Sequence, residues 1–279
     1  MRSFQDCICI VTGGASGIGK ALCAEVAHRG AQVIITDINS DLGEKTAETI
    51  KESGGNAQFV TLDVTDYASF QRVVDDTISD FGRLDYLFNN AGIAIFSEAR
   101  DCTQEDWCKV IDTDLYGPVN GVASAYPQMV RQGFGHIVNI ASIAGLVAPT
   151  HLASYAASKH GVVGLSLSLR IEAAHLGVKV SVVCPGFIRT PIYQSRTINL
   201  DQNRLLNEAP KGMSPEKCAG LILKTVERNK AIILITKIAK VFHLLQRISP
   251  GLYLYFARRI MREVRNKYRL KSIKFHHES

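Results

Sequence analysis

Short apolar runs rich in β-branched residues alternate along the chain with longer stretches whose apolar positions recur at helical spacing. The pattern predicts strands at 7–12 (CICIVT), 31–37 (AQVIITD), 57–64, 84–92, 135–142 and 178–186, with a last short one at 231–236. It predicts a helix over 17–30 that Gly30 stops, and another over 40–55 with Ser40 or Asp41 as N-cap and a glycine stop. The strands are apolar at nearly every position instead of every second one. That is the signature of a parallel sheet covered on both faces. Strand–helix alternation without an internal repeat or a low-complexity linker then implies an α/β fold: a single doubly wound parallel-sheet domain of three layers, over residues 1–236. Residues 237–279 form an additional C-terminal extension.

Ligands of such sheets sit beyond the carboxyl ends of the strands, and the residues there are unusual. The first strand runs into TGGASGIG, Thr12 to Gly19. Gly13, Gly17 and Gly19 let backbone approach a ligand closely, and the helix that follows offers free N–H groups to a pyrophosphate. The second strand ends at Asp37, whose carboxylate suits ribose hydroxyls and repels a 2′-phosphate, although an N-cap role is the alternative for it. Asp63-Val64 ends the third, Asn89 to Gly92 (NNAG) the fourth, Ser142 the fifth, and Pro185-Gly186 the sixth, with Thr190 shortly after. In SYAASKHG, Tyr155 precedes Lys159 by four residues, so the two share a helix face. The pair is either a packing accident or a proton donor beside its activator.

Taken together, these residues resemble the short-chain dehydrogenase/reductase family over about 5–236. The resemblance implies that Gly13, Ser16, Gly17, Ile18 and Gly19 form the cofactor loop and that Asp63 and Val64 meet the adenine. Asn90, Ala91 and Gly92 belong to the motif after strand four, and Pro185, Gly186, Ile188 and Thr190 hold the nicotinamide carboxamide. Ser142, Tyr155 and Lys159 match the catalytic set, with Ser142 thirteen residues before Tyr155. Tyr155 then exchanges the proton with the substrate oxygen, Ser142 bonds that oxygen, and Lys159 holds the nicotinamide ribose. A charge about 4 Å away is worth roughly 4 kcal/mol at an effective dielectric near 20, so Lys159 is expected to pull the phenol down by up to roughly 3 pKa units. Asp37, followed by Ile38, together with Ser16 where NADP-using relatives often carry a basic residue, favours NAD over NADP. The stretch VIDTDLYG places Asp114 where relatives carry an asparagine that completes a catalytic tetrad. An aspartate keeps an acceptor, loses the amide donor and adds a negative charge near Lys159. The expected results are an alkaline-shifted pH profile, a role for the backbone alone, or a weakened enzyme.

The formal net charge of +6 is uneven, since residues 237–279 hold eleven lysines and arginines against two glutamates and the rest of the chain is net negative. This extension carries apolar stripes, Ile238, Val241, Phe242 and Leu245, then Leu254, Phe256, Ile260 and Val264. Such faces pack on the domain, join subunits, lie on an anionic membrane surface or meet an acidic partner. No nucleic-acid recognition motif accompanies the charge. The seven cysteines show no metal-ligand or CxxC spacing and read as free thiols of a reducing compartment, with no metal expected. Without a signal-like N-terminus or an apolar run of about 18 residues, the expectation is a cytoplasmic protein, peripheral at a membrane if the extension binds one. The family resemblance adds a homodimer or homotetramer. Ile188, Ile192, Tyr193 and Leu205, with GIAIF (92–96) and GLVAP (145–149), suggest an apolar ceiling over the substrate. The small-molecule substrate expected is a hydrophobic secondary alcohol or ketone, sterol-, retinoid- or lipid-like. A 3-oxoacyl thioester reductase and a catalytically weak cofactor-binding sensor or scaffold are the alternatives.

Overall fold

The computed structural model describes residues 4–203, 207 and 212–268. Seven parallel strands form one sheet: β1 (Ile8–Thr12), β2 (Gln32–Asp37), β3 (Asn56–Thr61), β4 (Tyr86–Asn89), β5 (Gly135–Ile140), β6 (Val178–Pro185) and β7 (Ile232–Ile235). Their spatial order is β3-β2-β1-β4-β5-β6-β7. The chain therefore winds outward from β1 to β3, returns to the centre at β4, and winds out the other way. The reversal opens a crevice above the carboxyl ends of β1 and β4, whose register pairs Val11 with Phe88.

Helices α1 (Gly17–His28) and α2 (Ser40–Glu52) cover one face. Their buried Leu22, Val26 and Ile50 join one core with Val33, Ile35 and Phe88 of the strands. The other face carries α3 (Tyr67–Phe81), whose Phe70 and Val74 join a second core with Ile10, Leu87 and Ile137. Next in the chain, α4 (Gln104–Ile111) runs through a π-helical turn at Asp112–Tyr116 into α5 (Gly117–Gln132). Then α6 (Ala153–Glu172) packs beside α5 on the second face, and α7 (Pro215–Val226) completes the first.

The α2 N-cap is Asn39, one residue before the expected Ser40 or Asp41; its side chain accepts from the Leu42 N–H at 3.0 Å. The reason is that Asp37 accepts the Asn39 N–H at 3.0 Å and thereby fixes the turn one residue earlier. No disulfide forms among the described residues, and Cys7, Cys9, Cys23, Cys184 and Cys218 are buried.

The described residues of the extension form two helices, α8 (Lys237–Ile248) and α9 (Pro250–Tyr268). α9 is tied to the domain by the Tyr253 hydroxyl, which donates to the Ala148 carbonyl at 2.9 Å, and by Arg265, whose guanidinium donates twice to buried Glu98 at 3.0 and 3.1 Å. Among the described residues no helix is long and apolar enough to cross a membrane. Because Phe70 is fully buried at the centre of the second core, Phe70→Ala should lower unfolding stability by about 3–5 kcal/mol. The midpoint of urea unfolding measures this loss.

Candidate active site

The crevice above β1 and β4 deepens into a cavity of about 610 Å³. At one end the glycine loop enters α1. Gly17 has φ +53°, a conformation glycine adopts without strain, and a Cβ on Gly19 would lie 2.0 Å from the Gly13 carbonyl oxygen. Ser16, the N-cap of α1, makes no side-chain cap bond, and no acidic residue occupies the first turn. The first N–H groups of α1 are left for an anion.

Asn90, the residue just after β4, holds this loop in place. The Asn90 amide donates to the carbonyls of Thr12 (2.9 Å) and Gly13 (3.2 Å). In return the Thr12 hydroxyl accepts the N–H groups of Asn90 and Ala91 at 2.9 and 3.0 Å. Asp37, at the end of β2, accepts the Ala15 N–H at 3.1 Å and lines the cavity beside Ser16 and Ile38. Asp63 lines it too, with its carboxylate taking the Thr65 N–H and hydroxyl at 2.9 and 2.8 Å.

The other end of the cavity is lined by Gly92, Ile93, Asp114, Ile140, Tyr155 and Lys159. Lys159 comes from α6, one turn after Tyr155, with its Nζ 5.4 Å from the phenol ring centre. The same Nζ lies 2.9 Å from Asp114 Oδ2 and donates to the Ile140 carbonyl at 3.3 Å. Both partners of the ion pair are buried, with side-chain exposures of 4% and 0%. Asp114 reaches Lys159 from the π-helical turn, where the Gly117 N–H donates to the Asp112 carbonyl five residues back. Its other oxygen accepts the Ile93 N–H at 2.8 Å, which pins the strand-four loop.

Burial alone would drive the Lys159 ammonium down, but the Asp114 carboxylate and the Tyr155 phenol outweigh it and hold the lysine above its ordinary range. Asp114 is pushed up by burial, against the opposing pull of Lys159 and the Ile93 N–H. Burial also pushes the Tyr155 phenol up; Lys159 opposes this, Asp114 reinforces it, and the Ser142 hydroxyl opposes it. Lys159 pulls the phenol down as expected, but burial exceeds that pull and Asp114 offsets part of it, so the phenol stands above its ordinary value instead of below it.

The structure brings Gly13, Ser16, Gly17, Ile18, Asp37, Ile38, Asp63, Val64, Asn90, Ala91, Gly92, Asp114, Tyr155, Lys159 and Thr190 to one cavity. Gly19 is buried beneath the loop, and Ile188 packs in the first core, so neither side lines the cavity. Pro185 ends β6, and Gly186 lies against Thr236. Ser142 caps a 3-10 turn by accepting the Ala144 N–H at 3.1 Å. Of the proposed apolar ceiling, Ile93 and Ile192 line the cavity, while Ala148 and Pro149 line a second cavity, of about 440 Å³, beneath α9. Leu205 lies outside the described residues. Lys109, Asp112 and Thr113 also line the first cavity and were not anticipated. Asp112 and Thr113 belong to the π-helical turn, which has no reliable sequence signature of its own, and Lys109 lies just before it in the last turn of α4; only their closeness to Asp114 hinted at them.

Fold and site together define a dinucleotide-dependent oxidoreductase of the Rossmann type. The sequence model for short chain dehydrogenases matches residues 7–201. The chain belongs to the short-chain dehydrogenase/reductase family, whose members bind NAD or NADP, act on alcohol- and ketone-type substrates and are commonly oligomeric. It is 35% identical to the 3-oxoacyl acyl-carrier-protein reductase FabG of Thermotoga maritima over 77% of this chain and 88% of that protein. It is 34% identical to the cyclohexanol dehydrogenase of an Acinetobacter species over 68% of this chain and 76% of that one. A short-chain dehydrogenase/reductase from Burkholderia phymatum, solved in complex with NAD, superposes with a TM-score of 0.84 at 26% identity, covering 90% of this chain and 96% of the other.

Asp114→Asn removes the charge that raises both Tyr155 and Lys159. A mechanism in which Tyr155 takes the proton beside a charged Lys159 requires the deprotonated phenol and the protonated lysine, so its rate would climb through the first titration and fall through the second. Both limbs of the profile should therefore move to lower pH in the variant. An acid limb that stays in place, measured as kcat against pH with saturating substrate, would show that Asp114 does not tune the phenol.

Proposed function

We propose that the protein is an NAD-dependent dehydrogenase/reductase for a hydrophobic secondary alcohol or ketone. The cofactor preference rests on Asp37. Its carboxylate is fixed by two backbone N–H groups at the cavity wall, and its neighbours Ser16 and Ile38 offer no cation to a 2′-phosphate. The glycine loop, the uncapped α1 N-terminus and Asp37 fit a dinucleotide whose ribose hydroxyls meet the carboxylate. Ser16, Gly17 and Ile18 would hold the pyrophosphate, Asp63 and Val64 the adenine, and Thr190 with Lys159 the nicotinamide end. Bound there, the nicotinamide supplies or accepts the hydride.

The chain's own groups manage the proton. In oxidation, ionised Tyr155 takes the hydroxyl proton of the alcohol while Ser142 bonds its oxygen. In reduction, the neutral phenol returns that proton to the developing alkoxide. Lys159, kept charged by Asp114, stabilises the phenolate between the two. The apolar side chains Ile93, Ile140, Ala141 and Ile192 at this end favour a hydrophobic substrate. We assign the protein to the cytoplasm, as a homo-oligomer by analogy with its family. A 3-oxoacyl thioester reductase is the second reading, supported by the likeness to FabG.

Titration with NADH and with NADPH, followed by cofactor fluorescence, tests the assignment. NADH should bind roughly tenfold or more tightly, because Asp37 sets like charge against a 2′-phosphate. Preference for NADPH would reverse the reading and favour the thioester reductase. Tyr155→Phe should cost about 10²–10⁴-fold in kcat with NADH binding retained. Undiminished turnover would remove Tyr155 from the chemistry.

A further inference from the structure

The two helices of the extension point their apolar side chains at solvent. Ten of the eighteen exposed large hydrophobic side chains among the described residues lie between Ile238 and Ile260. In α8 the usual arrangement is inverted. Ala239, His243 and Gln246 fall on one face by helical spacing and are buried or partly buried. His243 Nδ1 and Gln246 Oε1 are buried there without a hydrogen-bond partner among the described residues. On the opposite face Val241, Leu244 and Ile248 are 60%, 57% and 73% exposed. In α9, the domain side is fixed by Tyr253 and Arg265. Leu252, Phe256 and Ile260, spaced one turn apart, form an exposed row away from it. A helix selected only to cover its own domain would bury these rows.

The charge beside the rows identifies what covers them. Residues 237–268 contain eight lysines and arginines and one acidic residue, Glu263. Lys237, Lys240 and Arg247 are exposed on α8, and Arg258, Arg259 and Arg262 on α9. A second copy docking through this face would bring two cationic surfaces together at close range. An anionic lipid surface satisfies both features, since acyl chains take the apolar rows and headgroups take the cations. Neither helix can span a bilayer, so the association lies in the interfacial plane. We propose that α8 and α9 form an interfacial anchor that holds the enzyme on an anionic phospholipid membrane. This inference is independent of the cofactor and substrate assignments.

The test is co-sedimentation of the full-length protein with phosphatidylcholine vesicles, alone or mixed with phosphatidylglycerol, after subtracting protein that pellets without vesicles. Partitioning onto the mixed vesicles should be at least roughly tenfold stronger than onto the neutral ones and should weaken in high salt. The double variants Val241→Ser/Leu244→Ser and Phe256→Ser/Ile260→Ser should each reduce it at least roughly tenfold by removing exposed apolar area. Their far-ultraviolet circular dichroism and thermal unfolding midpoint, unchanged from wild type, serve as the check of folding. Protein left in the supernatant with both vesicle types would overturn the proposal. So would equal binding to neutral and anionic vesicles, or variants that pellet like wild type while turning an oligomer into a monomer. That last result would make the face a contact between copies.

Discussion

The buried ion pair between Asp114 and Lys159 is the point on which the reacting end of this molecule depends. It joins three parts of the chain that are far apart in sequence. The π-helical turn supplies the carboxylate, α6 supplies the ammonium, and the loop after β4 is fastened to the pair through the Ile93 N–H. Removing either partner leaves a buried charge without its counter-charge, at a cost of about 3–5 kcal/mol. The same pair fixes the electrostatics of Tyr155. Burial raises the phenol, Lys159 lowers it, and the Asp114 carboxylate offsets part of the lysine's pull, so the phenol stands above its ordinary value. Asp114 thus secures the position and charge of Lys159 while weakening its influence on its neighbour.

Polar groups deeper in the sheet carry that geometry to the glycine-loop end of the cavity. The Asn89 amide donates to Asn139 at 2.8 Å, and the Asn139 amide donates to Ser166 of α6 at 2.9 Å. Strands β4 and β5 are in this way linked directly to the helix that carries Tyr155 and Lys159. The next residue, Asn90, reaches the opposite way and holds the glycine loop. Consecutive asparagines therefore set the spacing between the two ends of one cavity.

The fold was legible because each strand is a continuous apolar run ended by a turn residue, and such a run has one stable destination, a sheet covered on both faces. The same logic exposed Asp37, Tyr155 and Lys159, since polar groups immediately beyond apolar strands or at helical spacing stand out. The work of Asn90 was less visible: a motif places it near the cofactor, but only coordinates show its amide on the Gly13 carbonyl. Asp112 and Thr113 escaped because they sit in a π-helical turn, whose extra residue leaves no compositional trace, and Lys109 because an exposed-looking lysine in the last turn of α4 gives no sign that it faces the cavity. The sign of the Tyr155 shift escaped for another reason. It is the sum of opposing burial and charge effects, and sequence spacing reports charge alone. The apolar stripes of the extension were legible as stripes, while their outward aim was not, because periodicity does not say which side of a helix meets the domain.

The strand order has a consequence for how the molecule assembles. β1 pairs with β2 after one short helical crossover, but its other edge waits for β4, where Cys9 meets Tyr86. The crevice is therefore a seam between two windings of the chain that close on each other only through long-range contacts. Neither winding contains a whole ligand site. A ligand seated along the seam would touch both at once and act as a rivet, so every increment of its binding free energy would also be cohesion between the two halves.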